Sequence, residues 1–271
     1  MKLAVSNIAW RNEEEVAAAE LLRDLGVKNI ELAPTKIWHN PTRTTIQQAL
    51  QYRDFWASYG IEVVAFQSML FNRPDLHLFT KDTRKESENY LSQFVQLAGV
   101  MGAKRMVFGS PKNRQRGKLS KQEADSIARD FFIALAEVAE QNGVVFCIEP
   151  NAPQYACNYI TTAQEGIDFV RSVARPGIGL HLDTGCMTLV GDDICSSIRN
   201  AGQTLGHYHV SSPMLEAVNS EVGIDHTAAA DALREINYEG FISIEMKPQD
   251  TRNLSRVYEA IMFTKESYDI N

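Results

Sequence analysis

The sequence predicts an α/β protein with the fold of a (β/α)8 TIM barrel, and three observations favour this class. Short β-branched or apolar segments alternate eight times with longer amphipathic segments. The repeat is roughly 34 residues long. The chain of 271 residues also matches the about 250 residues typical of this barrel. An open doubly wound sheet would share the alternation, but its glycine-rich dinucleotide motif does not follow the first predicted strand.

The predicted strands are short. In chain order they are Leu3–Ala9, Asn29–Ala33, Ile61–Gln67, Arg105–Gly109, Val144–Glu149, Ile178–Asp183, Gly206–Val210 and Phe241–Glu245. The predicted helices are Glu13–Leu25, Thr45–Ser58, Thr83–Met101, Ser120–Gln141, Thr162–Val173, Asp193–Ala201, Thr227–Ile236 and Thr251–Glu266. No linker or change in composition interrupts this pattern, so residues 1–271 are predicted to form one barrel domain.

Two kinds of residue predict where the helices begin and end. Asn12, Thr44 and Ser120 are residue types that cap helix N-termini. A glycine followed by an apolar or small residue recurs shortly before a predicted strand, at Gly26, Gly60, Gly102, Gly143, Gly177 and Gly240. Each glycine is expected to leave its helix in the left-handed conformation.

Composition and charge narrow the function classes. A hydrophobic fraction of 44% argues against a disordered or collagen-like chain. The 27 Lys and Arg residues against 34 Asp and Glu residues give a net charge of −7, which disfavours nucleic acid as a partner. No apolar run approaches the about 20 residues that cross a membrane, and Arg11 followed by three glutamates makes a poor signal peptide. Four cysteines without CxxC spacing favour the cytoplasm.

Four consecutive predicted strands, the fifth to the eighth, end on or close to residues that could bind a metal ion. These residues are Glu149, Asp183, His209 and Glu245. In a barrel they would converge at the carboxyl-terminal mouth, where active sites lie. Three buried carboxylates without a cation would be costly, so convergence predicts a divalent metal ion. The oxygen-rich set favours Mn²⁺, Mg²⁺ or Co²⁺ over a thiolate zinc site.

Further residues are candidates for substrate binding, although each also has a purely structural interpretation. Trp10 and Trp38 follow the first two strands and could wall a sugar pocket, or simply pack there. Glu31 in the second strand could orient Trp38 or a substrate hydroxyl. Lys247 points to the same side as Glu245 and could supply a cation, or lie on the surface.

Two other groups of residues leave alternatives open. The loop from Lys112 to Lys118 carries four cations and could bind a phosphate or carboxylate, or be a solvated loop. His181 and His207 share the parity of Asp183 and His209, one layer deeper. They are predicted either to pack in the core or to support the metal ligands.

Five short motifs resemble those of the xylose isomerase-like (β/α)8 superfamily of sugar isomerases, epimerases and related enzymes. They span Ile148–Asn151, His181–Gly185, His207–Val210, Val222–Asp225 and Ile244–Lys247. The resemblance covers essentially the whole chain. In ketose 3-epimerases of this group, the residues that match Glu149, Asp183, His209 and Glu245 bind Mn²⁺ or Co²⁺. The resemblance therefore implies Mn²⁺ here, with Mg²⁺, Co²⁺ or Zn²⁺ as alternatives, and implies that Glu149 and Glu245 form the acid/base pair.

The chain departs from these 3-epimerases outside the predicted metal centre. Cys186 stands where they carry a histidine, and Ser211–Asp225 contains no arginine where they carry one. The segment around Tyr155 lacks their acidic residue. Gln67 and Gly109 replace the extra zinc-binding histidines of the abasic-site endonucleases in the superfamily. The resemblance thus implies the metal centre, but not the shell that binds a free ketose.

The sequence as a whole predicts an enzyme of carbohydrate metabolism: a metal-dependent isomerase or epimerase of a sugar or sugar phosphate. Its reaction would remove a proton beside a carbonyl and pass through an enediolate. Two alternatives remain, a metal-dependent dehydratase of a keto-polyol or keto-acid, and a non-catalytic sugar-binding barrel. By analogy with the fold, a homodimer or homotetramer is expected.

Overall fold

The structure, a computed structural model, describes residues 1–248 and 252–270. Eight parallel strands in these residues close into a barrel in chain order. They are β1 (Lys2–Ser6), β2 (Asn29–Leu32), β3 (Glu62–Phe66), β4 (Arg105–Phe108), β5 (Val145–Ile148), β6 (Ile178–Asp183), β7 (Leu205–Ser211) and β8 (Phe241–Glu245). β1 closes the barrel by pairing with β8, with Lys2 opposite Phe241 and Val5 opposite Ile244. The predicted (β/α)8 TIM barrel is confirmed.

Within the same residues, ten α-helices surround the barrel. They are α1 (Glu15–Asp24), α2 (Pro34–Ile37), α3 (Ile46–Ser58), α4 (Lys81–Met101), α5 (Lys121–Gln141), α6 (Ala163–Val173), α7 (Thr184–Val190), α8 (Ile194–Ala201), α9 (His226–Glu235) and α10 (Asn253–Tyr268). All eight predicted helices are present, although Thr251, the first residue of the last prediction, lies outside the described residues. The short helices α2 and α7 were not predicted, because neither is long enough to display a helical period.

Several predicted boundaries were wrong. β1 ends at Ser6 rather than Ala9, because Asn7–Ala9 form a 3-10 turn in which the Ser6 side chain accepts a hydrogen bond from the Ile8 amide. Ser120 caps α5 as predicted, accepting from the Glu123 amide. The cap of α3 is Thr45 rather than Thr44. Asn12 lies inside a 3-10 turn and caps no helix.

The glycines before the strands serve two different purposes. Four have positive φ as expected: Gly26, Gly60, Gly102 and Gly143. Gly177 and Gly240 do not, and the left-handed residues after those helices are Ala174 and Asn237. A Cβ on Gly177 would lie 2.4 Å from the Ala136 carbonyl oxygen. Glycine is needed at that position for close packing rather than for backbone freedom.

The hydrophobic core lies mainly between the barrel and its helices. Phe132 of α5 packs against Phe108 of β4 and Phe146 of β5, with ring centroids 5.3 and 6.0 Å apart. These aromatic contacts hold α5 on β4 and β5. Since all the strands are parallel, their carboxyl ends form one mouth, and this brings residues 149, 183, 209 and 245 to the same end of the barrel. Among the described residues, no helix is long and apolar enough to span a membrane.

Candidate metal centre and active site

The four predicted metal ligands converge at the barrel mouth. Glu149 directly follows β5, Asp183 and Glu245 end β6 and β8, and His209 lies within β7. The His209 Nδ1 atom is 3.8 Å from Asp183 Oδ2 and 3.2 Å from Glu245 Oε2. Glu149, Asp183 and His209, together with His181, each offer a ligand atom within 4.8 Å of the others. The ends of β5, β6 and β7 thus build one compact donor cluster, which supports a divalent metal site, and Glu245 of β8 adjoins this cluster through its contact with His209.

Asp183 is held by two hydrogen bonds that orient its carboxylate. Oδ1 accepts from the Cys186 amide at 2.6 Å, which caps α7, and Oδ2 accepts from the Ser211 hydroxyl at 2.6 Å. Ser211 was not singled out from the sequence, although it has the same strand parity as His209. Because the helix cap and the Ser211 contact both restrain the side chain, the carboxylate of Asp183, a predicted ligand, has a fixed orientation.

His209 is oriented from behind by Glu31. The Nε2 atom of His209 lies 2.9 Å from Glu31 Oε2, deep in the barrel. An ionised carboxylate only accepts hydrogen bonds, so Nε2 carries the proton and Nδ1 is turned toward Asp183 and Glu245. This carboxylate–histidine arrangement is the one that commonly supports metal-binding imidazoles.

The buried carboxylates at the barrel mouth create an electrostatic environment that favours a bound cation. Burial, followed by the charges of Glu245 and Asp183, raises the pKa of Glu149 to about 8. Burial and the charge of Glu245 also raise the pKa of Asp183. Burial opposes the charge on His209, but the Glu31 and Glu245 carboxylates outweigh it and raise the pKa of His209 well above its usual value. Three carboxylates and one imidazole therefore fit a bound divalent ion, which would take the place of the Nδ1 proton.

Gly109, at the end of β4, makes room for the Glu149 carboxylate. A Cβ at this position would lie 2.2 Å from Glu149 Oε2 and 3.2 Å from the Asn151 side-chain oxygen. Real Cβ atoms do not come that close to an oxygen, so any other residue would displace Glu149. The glycine noted from the sequence as replacing a zinc-binding histidine thus has a positive role in shaping this site.

A cavity of about 150 Å³ opens onto the cluster. Glu149, Asp183 and Glu245 line it on one side. Its other polar side chains are uncharged: Gln67, Ser68, Ser110, Asn151, Tyr155 and Cys186. Wider clefts of about 410 and 480 Å³ lie around Lys2 at the start of β1, and they contain none of the four predicted ligands. The small cavity is therefore the candidate active site.

The structure places the predicted substrate-binding residues outside this cavity lining. Glu31 is fully buried and contacts His207 and His209. Trp10 is buried and packs against Trp56, with ring centroids 6.0 Å apart. Their roles in substrate binding stay predictions.

The remaining two candidates lie nearer the surface. Trp38 is half-buried and meets the Tyr52 ring at 5.6 Å between centroids. Lys247 forms an ion pair with Glu216 at the surface. Neither residue lines the cavity among the described part of the chain, and a role in substrate binding stays a prediction for both.

The basic loop after β4 presents fewer cations than its sequence suggests. The Arg114 side chain is buried, and its Nη2 donates to the Glu149 main-chain oxygen at 2.5 Å and to Asn151 Oδ1 at 2.9 Å. Arg116 donates to the main-chain oxygens of Asn158 and Leu119. The sequence identified Arg114 only as one of four cations in this loop and Asn151 only as part of a motif. Their contact was not predicted, because no local pattern distinguishes a buried arginine from a solvated one.

Comparisons with known proteins agree with the barrel fold. The family model described as the xylose isomerase-like TIM barrel matches residues 19–266. A D-psicose 3-epimerase from Ruminiclostridium cellulolyticum is 37% identical over 111 residues, which are 41% of this chain and 37% of that protein. An L-ribulose 3-epimerase from a Methylomonas species is 29% identical over 153 residues, 55% of this chain and 49% of that protein. The chain thus matches about half or less of the length of these curated relatives.

Among solved structures, a D-psicose 3-epimerase from Clostridium cellulolyticum H10 crystallised with D-tagatose superposes with a TM-score of 0.82. The two sequences are 20% identical in that superposition, which covers 99% of each chain. At this identity, the likeness establishes the shared fold.

Proposed function

Because the chain belongs to the family of xylose isomerase-like TIM barrels, we propose that it is a divalent-metal-dependent sugar isomerase or epimerase. The observation that carries the proposal is the pair Glu149 and Glu245, which line one cavity on β5 and β8 with Asp183 and His209 between them. Two carboxylates at separate positions around one cavity suit a reaction that removes a proton and returns one. The relatives reported above are named as 3-epimerases.

In the proposed mechanism, the chain's own residues position the substrate and move the proton. Glu149, Asp183, His209 and Glu245 would hold the metal ion, which when bound supplies electrophilic stabilisation of the substrate oxygens. One glutamate takes the proton from the carbon beside the carbonyl. For an epimerisation, the other glutamate returns a proton to the opposite face of that carbon. Glu31 fixes the orientation of the His209 ring and so helps to position this proposed ligand.

We propose a neutral ketose rather than a sugar phosphate as the substrate. Among the described residues, the cavity lining contains no lysine, arginine or histidine. A phosphate or carboxylate group is normally bound by such cations. Amide, hydroxyl and thiol groups at residues 67, 68, 110, 151, 155 and 186 suit hydroxyl groups instead.

Mn²⁺ is the proposed ion, since three of the four donors are carboxylates. A cytoplasmic location is proposed, because the four cysteines are free thiols. We also propose that residues 1–271 form one domain and that it assembles as a dimer or tetramer. Light scattering at micromolar concentration would test the assembly, and a monomer-sized particle would contradict it.

A panel of ketoses, aldoses and keto-acids, assayed with Mn²⁺ in D₂O, tests the function. The proposal predicts deuterium incorporation at the carbon beside the carbonyl, together with a new epimer or isomer and no loss of water. Loss of water would instead indicate the dehydratase, which begins with the same proton abstraction. No exchange and no product across the panel would favour a non-catalytic sugar-binding barrel.

A further inference from the structure

Arg114 is a buried cation beside the candidate active site. It ends a 3-10 turn, Pro111–Arg114, after β4, and only 1% of its surface is exposed. Its Nη2 donates to Glu149 O, to Asn151 Oδ1 and, at 3.5 Å, to Ile160 O. Its Nε and Nη1 atoms have no hydrogen-bond partner among the described residues. Burying a guanidinium group costs desolvation free energy. Packing alone therefore does not account for the position of Arg114.

The contact with Arg114 determines which way the Asn151 amide points. A guanidinium group only donates hydrogen bonds, so the atom of Asn151 that faces it must be the oxygen. The NH₂ group of Asn151 is then turned to the other side, where its hydrogen-bond partner is Cys186 Sγ at 3.7 Å. Both Asn151 and Cys186 line the cavity that opens onto the predicted metal ligands.

The Asn151 NH₂ group is poorly satisfied by this partner. A thiol sulfur is a weak acceptor, whereas a substrate hydroxyl or carbonyl oxygen is a strong one. Asn151 is 5% exposed, so water has little access to it. The Asn151 side chain also interacts with the Glu149 carboxylate and opposes part of the rise in the pKa of that group. A buried amide donor that faces a cavity, with a thiol sulfur as its hydrogen-bond partner, is placed to bind an oxygen of a ligand.

We propose that Asn151 donates a hydrogen bond from its NH₂ group to an oxygen of a neutral polyol substrate, and that Arg114 is the positioning residue that orients this amide. The inference rests on the proposed function, since it concerns the same cavity. Arg114 also donates a hydrogen bond to the main-chain oxygen of Glu149. One guanidinium group therefore contacts both the proposed substrate-binding amide of Asn151 and the backbone of a proposed metal ligand. At this cavity, Asn151 would take on part of the binding for which the ketose 3-epimerases use other residues.

The Asn151→Asp variant isolates the donor. An aspartate keeps an oxygen facing Arg114 but replaces the NH₂ group with a second acceptor. With D-fructose as the probe, we expect KM to rise at least about tenfold and kcat to change less, since a contact present before the transition state is lost. The bound Mn²⁺ content should stay at the wild-type level.

Asn158→Asp is the matched control. Asn158 lies in the same segment, is exposed, and its side-chain oxygen accepts from the Arg116 amide at 2.9 Å. It therefore undergoes the same chemical change away from the cavity lining. An unchanged KM in Asn151→Asp, or an equal rise in Asn158→Asp, would overturn the proposal.

The positioning role of Arg114 is tested by a double-mutant cycle. Arg114→Lys keeps the charge but loses the planar donor group, so the Asn151 amide is no longer held and KM should rise. If Arg114 affects substrate binding through Asn151, Arg114→Lys should change KM little further in the Asn151→Asp background. Independent, additive effects on KM would refute this positioning role.

A binding measurement separates this proposal from the proposed function. The side-chain amide resonances of Asn151 can be assigned in the Mg²⁺-loaded protein by their absence from Asn151→Asp. Titration with D-fructose should shift them, while other assigned asparagine amides shift less. No shift would overturn the proposal even if the enzyme turns ketoses over. A shift without any turnover across the panel would instead contradict only the proposed function.

Discussion

Two buried glutamates in the same barrel experience opposite environments. Burial raises the pKa of both carboxyl groups. For Glu31 the neighbouring His209 and His207 rings more than reverse that effect, and its pKa lies well below the usual value. For Glu149 the neighbours are Glu245 and Asp183, and its pKa is raised to about 8. The charged form of a glutamate is thus stabilised in the deep layer, where two histidine rings contact Oε2 of Glu31, and disfavoured at the mouth, where Glu149 faces other carboxylates.

The difference follows from which side chains share each layer. The deep layer pairs Glu31 with His207 at 3.2 Å and with His209 at 2.9 Å, and none of these three side chains is exposed. The mouth layer combines three carboxylates with the other nitrogen of His209, facing a cavity. His209 joins the two layers. We infer that the deep layer supports the site, whereas the mouth layer needs a bound cation to be stable and supplies the chemistry.

The largest effect is expected when a ligand is removed from the mouth layer. Asp183→Ala should lower Mn²⁺ affinity by more than the about 10–100-fold typical of a residue behind a ligand, and should abolish turnover. Metal analysis after dialysis and Mn²⁺ titration calorimetry would measure this loss. Asp193→Ala is the control, because Asp193 also caps a helix, accepting from the Ser196 amide at 2.7 Å, but lies outside the cavity lining. Equal Mn²⁺ affinity in Asp183→Ala and wild type would contradict the ligand assignment.

The second test separates proton transfer from metal binding. Glu149→Gln and Glu245→Gln keep the side-chain shape and one oxygen, but lose the basic oxygen. Each should lower kcat by at least about 10²-fold, with Mn²⁺ affinity falling less than in Asp183→Ala.

Deuterium incorporation from D₂O at saturating metal would then distinguish the two glutamates. In an epimerase, each variant should retain exchange with a different epimer, because the glutamate on the opposite face survives. An isomerase that uses one face should lose all exchange in one variant and keep it in the other. Glu62→Gln, an exposed residue at the start of β3, is the control. Full turnover in both active-site variants would place the base elsewhere.

A smaller effect is expected in the deep layer. Glu31→Gln keeps an acceptor for the His209 Nε2 proton but removes the charge that supports the imidazole. Mn²⁺ affinity should fall by about 10–100-fold, while kcat at saturating Mn²⁺ changes less than in the Glu149 and Glu245 variants. Calorimetric titration with Mn²⁺ measures the first effect and turnover the second. Unchanged Mn²⁺ affinity would mean that the two layers are not coupled through His209.

The last test concerns a buried histidine outside both layers. His226 is buried beside the Tyr268 hydroxyl, with Nδ1 3.0 Å from it, and burial lowers its pKa to about 4. Between this pKa and the unfolded value of about 6.5, the unfolded chain binds more protons, so stability falls as the pH falls. The His226 contribution to that loss should reach at most about 3 kcal/mol at pH 4.

Urea unfolding of wild type and His226→Gln at pH 7, 5.5 and 4.5 would measure this contribution. The variant should lose less stability than wild type on acidification, since glutamine does not titrate. Identical pH dependence in the two proteins would show that burial of this histidine does not lower its pKa.

Local patterns in the sequence were enough to predict the barrel and the convergence of the four proposed ligands. The alternation of apolar strands with amphipathic helices is a local property, and parallel strands in a closed barrel must end at one mouth. Glu149, Asp183, His209 and Glu245 could therefore be placed together by their positions at or near strand ends alone. That reasoning needed no knowledge of side-chain conformations.

Only the tertiary structure decided what surrounds those ligands. Glu31 and His209 are 178 positions apart, and closure of the barrel is what brings β2 and β7 to face each other across its interior. The burial of Arg114, the resulting orientation of Asn151 and the packing of Trp10 on Trp56 likewise depend on contacts between distant segments. Local periodicity reports which face of an element is apolar, but not which side chain from another element meets it. The partners of these residues were therefore determined by packing between segments that lie far apart in the sequence.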